Sequence, residues 1–292
     1  MKLQIITHRG IEPSKENYFL ESSYEAFLDQ SNRGFGLEFD VNFTKDNKIV
    51  FFHDAGLERI TQSQDKRLFS EMNLTEIKNL RLKGNRLCDL DELLGLLRNS
   101  QAETNALHLK GKFQEKKYLD ILLKNLKQDE DVLRKIIIFD VKTDTAEYLK
   151  SNLPQIILAP SVAHPYDIKR YNVAARGTLI SMEEAIKNKR LFDWVWLDEW
   201  DKTDEGNKDK IFYNQKNFDL LRKHSFKIAL VTPELHATSP NLLGGESHQD
   251  AKDMEKLKDR MRGIIRLKPD AICTDYPDMA KELISKSKGC NI

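Results

Sequence analysis

The chain has 292 residues, 47 of them basic and 46 acidic, and its formal net charge is only +1. No basic block stands out, so the sequence gives no electrostatic reason to expect a nucleic-acid partner. The longest apolar runs are too short to span a bilayer and no signal-like segment precedes the first strand, so we expect a cytoplasmic protein without stable membrane insertion.

Short β-rich segments alternate with helical patterns along the chain. The predicted strands are Leu3–Thr7, Gly36–Val41, Lys48–His53, Asn105–Lys110, Lys135–Val141, Gln155–Ala159, Trp194–Glu199, Lys227–Thr232 and Ala271–Thr274. The predicted helices are Ser22–Asn32, Asp89–Arg98, Phe113–Leu126, Asp144–Asn152, Ser181–Lys189, Gln215–His224, Ala251–Arg266 and Pro277–Ser287. This alternation predicts an α/β fold with a parallel sheet. Since no glycine-rich nucleotide loop follows a strand, we expect a (β/α)8 TIM barrel.

The third predicted strand does not fit the barrel. Only six residues separate Val41 from Lys48, too few for a crossover helix, and Asp46-Asn47 favours a tight turn. We therefore expect a β-hairpin arm in which Lys48–His53 runs antiparallel to the second strand, with His53 opposite Asp40. Eight barrel strands remain. Residues 54–88 become a small loop-rich insertion after the second strand, and residues 1–292 form a single domain.

Ionisable residues gather at the carboxyl ends of the predicted strands, where barrels of this kind hold their functional groups. His8 and Arg9 end the first strand. Glu38 and Asp40 share one face of the second, and His108 and Lys110 share one face of the third. An isolated E-x-D pair is usually solvated, and a single histidine before a loop is usually an ordinary polar residue. Burying all of these groups together without a function would be costly, so they predict a site.

Several motifs in residues 8–61 resemble those of the glycerophosphodiester phosphodiesterase family. They are H-R-G at His8–Gly10, E-x-x-x-x-A-F from Glu21 to Phe27, G-x-E-x-D-V from Gly36 to Val41, T-x-D-x-x-x-V-x-x-H-D from Thr44 to Asp54, and L-x-R-x-T from Leu57 to Thr61. The segment Pro269–Pro277 is similar to the last strand and loop of the family, whereas the match is sparse from residue 110 to residue 268. The resemblance also implies a barrel with a small insertion after the H-D arm.

The resemblance implies cleavage of a small-molecule phosphodiester with a divalent metal. Glu38 and Asp40 would hold Mg²⁺, the favoured ion, or Ca²⁺. Arg9 and Lys110 would bind the phosphate oxygens of the substrate. His8 would be the general base and His53 the general acid, because imidazole titrates near neutral pH. Water or a substrate hydroxyl could be the first nucleophile; the second would give a cyclic phosphate.

Two departures from the family pattern concern the metal and the leaving group. The family's E-x-K on the third strand is His108-Leu-Lys110 here, so His108 is expected as the third metal ligand, and its nitrogen favours Mn²⁺ or Zn²⁺ over Ca²⁺. The family's W-[TS]-V-N on the seventh strand is replaced by residues 230–236, which removes an aromatic wall and adds Glu234 and His236. Glu234 is expected to bind substrate. With Asp198 and Glu199 at the end of the sixth strand, the pocket should suit a sugar-phosphate diester.

The sequence therefore predicts metal-dependent hydrolysis of a glycerophosphodiester or related sugar-phosphate diester to an alcohol and a phosphomonoester, a reaction of lipid metabolism. One alternative is a phospholipid-directed phosphodiesterase or lyase on the same barrel, against which the lack of a basic membrane patch counts. The other is a non-catalytic phosphate-binding barrel. His108 favours this second alternative, and the presence of both His8 and His53 counts against it. The oligomeric state stays open.

Overall fold

A ring of parallel strands forms the centre of the molecule in the computed structural model, which describes residues 2–175, 177–199, 202, 209–238 and 249–289. The strands of these residues are β1 Gln4–Thr7, β2 Gly36–Phe43, β3 Ile49–Phe51, β4 Cys88–Asp89, β5 Asn105–His108, β6 Ile136–Phe139, β7 Ile157–Ala159, β8 Ser161–Ala163, β9 Trp194–Asp198, β10 Lys227–Val231 and β11 Ala271–Thr274. The parallel strands are ordered β7-β6-β5-β2-β1-β11-β10-β9-β8, which follows the chain around the ring.

Pro160 divides one barrel strand into two segments. It is the single residue between β7, which pairs with β6, and β8, which pairs with β9. Proline has no amide hydrogen to donate to a ladder, but its carbonyl still accepts from the amide of Trp196 at 3.0 Å. The nine parallel segments therefore amount to eight barrel strands, and the fold is the predicted (β/α)8 TIM barrel. The strand predicted at Gln155–Ala159 continues beyond the proline as far as Ala163.

Helices cover the outside of the barrel. In the described part of the chain they are α1 Tyr24–Asn32, α2 Leu74–Lys78, α3 Leu90–Asn99, α4 Lys116–Leu126, α5 Glu130–Leu133, α6 Thr143–Asn152, α7 Pro165–Ala175, α8 Met182–Lys187, α9 Gln215–Lys223, α10 Met254–Arg266 and α11 Pro277–Gly289. Helix α7 was not predicted, although proline is favoured at the first position of a helix. Among the residues described above, no helix has the length and apolar character needed to cross a membrane.

Two apolar cores follow from the alternation of side chains along the strands. The larger lies between strands and helices and includes Leu107 of β5. The smaller fills the barrel and includes Ala106 of β5 together with Ile137 of β6 and Trp196 of β9. Alternate residues of β5 that share the face of Ala106 therefore point into the barrel. His108, two residues further on at the carboxyl end of β5, lies on that same face.

Strand β3 runs antiparallel to β2 and forms the arm. Phe43 pairs with Ile49 and Val41 with Phe51, and the amide of Phe52 donates to the carbonyl of Asp40 at 3.1 Å. Asp40 therefore lies opposite Phe52, so the predicted pairing with His53 is wrong by one residue. The cause is the loop, which spans residues 45–47 instead of two residues and places Asn47 at φ +57°.

Residues 54–88 follow the arm and pack against it. They contain α2, and β4 at their end pairs antiparallel with β3. A separate apolar cluster joins this segment to the arm: Leu57, Phe69 and Ile77 are buried with Val50 and Phe52 of the arm. The short 3-10 turn Phe69–Glu71 contributes an aromatic contact to this cluster, because the ring centroids of Phe69 and Phe52 lie 5.8 Å apart in an edge-on arrangement.

Candidate active site

Polar side chains converge inside the carboxyl end of the barrel. Each lies on the face of its strand that points into the barrel, or directly follows that strand. His8 follows β1, Glu38 and Asp40 lie on β2, His108 ends β5 and Asp275 follows β11. Asp40 pairs directly with His108 across β2 and β5. Five of the predicted site residues line one cavity there, namely His8, Arg9, Glu38, His53 and His108.

Glu38, Asp40 and His108 form an acid–imidazole cluster that can hold a metal ion. Each offers one ligand atom, and these atoms lie within 4.8 Å of one another. Nδ1 of His108 is 2.8 Å from Oδ1 of Asp40, whereas the buried Oδ2 of Asp40 has no hydrogen-bond partner in the described part of the chain. Two carboxylates and an imidazole are donors that hard or borderline divalent cations accept. The predicted ligands therefore fit a divalent ion.

Arg9 and Lys110 surround Asp40 with positive charge. Nζ of Lys110 is 3.0 Å from Oδ1 of Asp40, and Nε of Arg9 is 3.4 Å from Oδ2. Lys110 also donates to the carbonyl of His53, which links the third barrel strand to the arm. Arg9 has a φ of +53°, a conformation that costs free energy for a residue other than glycine, and its amide donates to Glu38 at 3.2 Å.

The acid–imidazole cluster contains groups whose pKa values are shifted in opposite directions. Burial raises the pKa of Glu38 to about 8, and the charge of Asp40 adds to this shift. Burial acts on Asp40 in the same direction, but Lys110, His53 and His108 outweigh it and hold the pKa of Asp40 well below its usual value. Burial opposes a charge on His108, yet hydrogen bonds to Asp140 and Asp40 raise its pKa to about 9. In the metal-free site Asp40 is thus the charged carboxylate at neutral pH, and a divalent ion that binds there would have to displace protons from Glu38 and His108.

Asp275 holds one side of the His8 ring. Its Oδ1 is 2.8 Å from Nδ1 of His8, and both side chains are buried. The backbone behind it is fixed by Glu234, whose Oε1 accepts from the amide of Asp275 at 3.1 Å and from the hydroxyls of Thr232 and Thr274 at 2.6 Å each. Glu234, which was predicted to bind substrate, therefore lies behind Asp275 and is not among the described residues that line the cavity.

His53 is connected to Arg9 by a chain of side-chain hydrogen bonds. Its Nδ1 is 2.8 Å from Oδ1 of Asp54, and Oδ2 of Asp54 is 2.5 Å from Nε of Arg59. Arg59 then donates to Oε1 of Glu21 at 2.5 Å, and Oε2 of Glu21 accepts from Arg9 at 3.3 Å. The Glu21 and Arg59 positions of the sequence motif thus support the two residues predicted to act on the substrate.

Both cavity histidines have lowered pKa values. Burial, with the neighbouring charge of Arg9, lowers the pKa of His8 well below its usual value. Burial, with the charges of Arg9 and Lys110, lowers the pKa of His53 to about 4. Each ring is therefore neutral at pH 7, and with Nδ1 held by a carboxylate its free nitrogen is Nε2.

The opposite wall of the cavity is largely aromatic and apolar. The ring of Phe139 is stacked on His108 at 4.7 Å and on Trp196 at 3.9 Å. Leu179, Val231 and Leu235 line the same cavity, together with the polar residues Asp140, Ser161 and Tyr171. The seventh strand has lost the family's tryptophan, as the sequence shows, but Phe139 of β6 and Trp196 of β9 supply an aromatic surface in its place.

Of the two acids at the end of the sixth predicted barrel strand, which were expected to make this pocket more polar, only Asp198 faces the cavity. Asp198 lines the cavity. Glu199 instead accepts from the amides of Phe212 and Tyr213, at 2.6 and 2.9 Å, and its carboxylate is buried away from the cavity. The side chain of His236 lies outside the described residues.

Sequence reasoning missed two carboxylates of the site. Asp275 contacts His8, and Asp140 contacts Nε2 of His108 through its Oδ2 at 3.3 Å. Both directly follow an apolar strand, Ala271–Thr274 and Ile136–Phe139, which is the signal that identified His8 after β1. The same rule applied to the last strand would have found Asp275, whereas Asp140 lies inside the predicted strand Lys135–Val141, which ends at Phe139 in the structure.

Comparison with protein families identifies one match that spans most of the chain. A model described as the glycerophosphoryl diester phosphodiesterase family matches residues 8–279. A comparison with curated proteins finds no match.

Solved structures share the same barrel at low sequence identity. A protein from Galdieria sulphuraria assigned as a glycerophosphodiester phosphodiesterase is 17% identical with a TM-score of 0.68, and 98% of each chain is covered. A glycerophosphoryl diester phosphodiesterase from Parabacteroides distasonis is 19% identical with a TM-score of 0.66, covering 98% of this chain and 87% of that one. A phosphodiesterase from Oleispira antarctica, in complex with the product sn-glycerol-3-phosphate, is 17% identical with a TM-score of 0.64, covering 97% and 96%.

Proposed function

Because the chain belongs to the glycerophosphoryl diester phosphodiesterase family, a family of phosphoric diester hydrolases, we propose that it hydrolyses a glycerophosphodiester or a related sugar-phosphate diester to an alcohol and a phosphomonoester. One observation supports this most strongly. His8 and His53 each have Nδ1 bound to a carboxylate, and both rings line the cavity that holds the acid–imidazole cluster. A pocket that only bound phosphate would not need two oriented imidazoles.

Glu38, Asp40 and His108 would hold the divalent ion, with Mg²⁺ as the first candidate. When bound, the ion would polarise a phosphate oxygen and stabilise the negative charge that develops on it. The imidazole of His108 makes Mn²⁺ or Zn²⁺ an acceptable occupant as well.

Arg9 and Lys110 would bind the anionic diester. Both lie against Asp40, and a phosphate at the cavity would meet the guanidinium and the ammonium at fixed positions. Charged donors held in place before the reaction stabilise a transition state without reorganisation. The expected consequence is that loss of either cation weakens both substrate binding and turnover.

The two histidines would divide the proton transfers. His8 is neutral at pH 7, so its Nε2 can accept a proton from the attacking nucleophile. His53 must carry a proton at Nε2 to donate it to the leaving oxygen. Its pKa of about 4 is lowered in part by Arg9 and Lys110, and the negative charge of a bound diester offsets those two cations. Substrate binding therefore raises the pKa of His53 toward the value that a general acid needs.

The shape of the cavity favours a small alcohol. Its volume is about 130 Å³, and its wall combines the rings of Phe139 and Trp196 with the carboxyl of Asp198. Aromatic faces with a few polar groups suit a glycerol or sugar moiety.

Purified protein supplied with Mg²⁺ or Mn²⁺ tests the proposal. It should release glycerol phosphate from a glyceryl phosphodiester, and a chelator should stop the reaction. His8→Ala and His53→Ala should each lose on the order of 10²–10⁴ in rate. If both variants keep wild-type turnover, the acid–base assignment is wrong.

A further inference from the structure

We propose that Asp140 is a positioning residue of the metal site, which holds the Nε2–H of His108 so that Nδ1 faces the ion beside Asp40. The proposal rests on the proposed function, since it assigns a partner to one residue of that metal site. It concerns a residue that directly follows the neighbouring barrel strand β6 and that none of the sequence motifs includes.

The two nitrogens of His108 have different carboxylate neighbours. Nδ1 is 2.8 Å from Oδ1 of Asp40, and Nε2 is 3.3 Å from Oδ2 of Asp140. Asp40 belongs to the acid–imidazole cluster, whereas Asp140 does not. The ring therefore lies between a carboxylate of the acid–imidazole cluster and a carboxylate outside it.

Asp140 is itself held in place. It has a φ of +66°, a region in which aspartate and asparagine are the least disfavoured residues after glycine. The hydroxyl of Thr178, which has one proton to donate, lies within hydrogen-bond distance of its Oδ1 and, at 2.9 Å, of its backbone carbonyl. The side-chain amide of Gln114 donates to the same carbonyl at 2.6 Å. Oδ1 is occupied by Thr178, so Oδ2 is the oxygen available to His108.

Phe139 fixes the plane of the imidazole. Its ring lies 4.7 Å from that of His108, with an angle of 11° between the planes. A stacked neighbour restricts tilting but is compatible with a 180° flip of the ring about its Cβ–Cγ bond, which would exchange Nδ1 with Cδ2 and Nε2 with Cε1. The contact with Asp140 restricts that remaining freedom, so the two neighbours of His108 act on different motions.

A histidine ligand has a second ring N–H that such a partner can accept, and a carboxylate ligand has none. Neutral imidazole presents a lone pair on one nitrogen and an N–H on the other, and a carboxylate that accepts the N–H fixes the tautomer and makes the ligating nitrogen more basic. Glutamate at position 108 would have no N–H to hold. The role of Asp140 therefore depends on this chain having His108.

Calorimetric titration of MnCl₂ into the full-length, metal-free protein at one fixed pH tests the proposal. Asp140→Asn retains the size of the side chain and one oxygen acceptor, and asparagine tolerates the positive φ. Asp140→Gly removes the side chain without backbone strain. We expect Asp140→Gly to weaken Mn²⁺ binding about 10–100-fold and Asp140→Asn to fall between it and wild type. Asp144→Asn is the control: it removes an exposed carboxylate four residues further along the chain, in the first turn of α6, and should change the affinity less than about threefold.

The same substitution in a His108→Glu background separates a positioning residue from a direct ligand. Without an N–H at position 108, Asp140→Gly should no longer weaken Mn²⁺ binding. An equal loss in both backgrounds would overturn the proposal, because Asp140 would then act on the ion independently of His108. Unchanged affinity of both Asp140 variants in the wild-type background would also overturn it, while leaving the proposed function intact. Absence of Mn²⁺ binding by wild-type protein would overturn the metal site and this proposal together.

Discussion

Replacing Asp275 with asparagine should slow the reaction much more than it disturbs the structure. The carboxylate accepts the Nδ1–H of His8 at 2.8 Å, which leaves the lone pair on Nε2. An asparagine has the same size, but its amide group can donate to Nδ1, and the ring would then keep its proton on Nε2. That tautomer cannot act as a general base.

The expected loss in kcat depends on how much of the function of His8 the Asp275→Asn variant retains. General acid–base catalysis by one group contributes about 10²–10⁴-fold. Asp275→Asn retains the imidazole and part of the productive tautomer, so we expect kcat to fall about 10²-fold, or roughly 2.7 kcal/mol in activation free energy. KM should change little, because Asp275 lies behind His8 and the phosphate-binding cations are untouched.

Burial raises the pKa of Asp275 to about 7, so the wild-type rate should rise as the pH passes through that value. The Asp275→Asn rate should not rise in this way.

Initial rates of glycerol phosphate release, measured with saturating Mg²⁺ across the pH range, give these quantities. The control is the pair His8→Ala and His8→Ala/Asp275→Asn. Once the imidazole is gone, the second substitution should have almost no effect. Asp275 does not set the tautomer of His8 if Asp275→Asn alone stays within threefold of the wild-type kcat. The same conclusion follows if the substitution slows the His8→Ala enzyme by a further tenfold.

Two predictions concern stability, measured by urea unfolding. The pKa of His53 is about 4 in the folded protein and about 6.5 in the unfolded chain. The contribution of His53 to the free energy of unfolding is therefore fully present above about pH 6.5 and is lost as the pH falls toward 4, a change of roughly 3 kcal/mol. The free energy of unfolding of His53→Gln should fall less steeply than that of wild type between about pH 6.5 and pH 4. Equal pH dependence of the two proteins would contradict this. Gly36→Ala brings a Cβ within 2.1 Å of the Thr104 carbonyl and should cost about 1–3 kcal/mol. Gly95→Ala, in α3 with nothing within 4 Å, should stabilise by about 0.5–1 kcal/mol; effects of the same sign would contradict the packing argument.

The sequence was sufficient for the barrel and for most of the cavity because both depend on local periodicity. A period of two along each strand places Glu38 with Asp40, and chain order makes β2 the neighbour of β5, which brings His108 beside Asp40. The register of the arm depended on one more residue in the loop, where Asn47 takes a positive φ. That conformation is compatible with the sequence but is not dictated by it.

Features that depend on packing between distant segments could not be predicted in the same way. Glu234 follows a strand end as His8 does, yet it turns toward Thr232 and Thr274 and supports Asp275 from behind. No local pattern distinguishes a carboxyl that faces the cavity from one that faces a neighbouring strand. The break at Pro160 was visible as a proline, but its place between two halves of one barrel strand follows from pairing with both neighbours.

The insertion after the arm has a structural reason to follow the H-D motif directly. His8 belongs to the barrel, but His53 lies at the end of the arm and depends on Asp54 for its orientation. Asp54 is in turn bound by Arg59, a residue of the insertion, whose guanidinium lies over Phe52 at 5.9 Å. Phe52 is buried in the apolar cluster that joins arm and insertion. The packing of residues 54–88 therefore influences the orientation of His53 through the side chains of Arg59 and Asp54. A substitution that loosens this cluster should disturb the orientation of His53 more than that of His8.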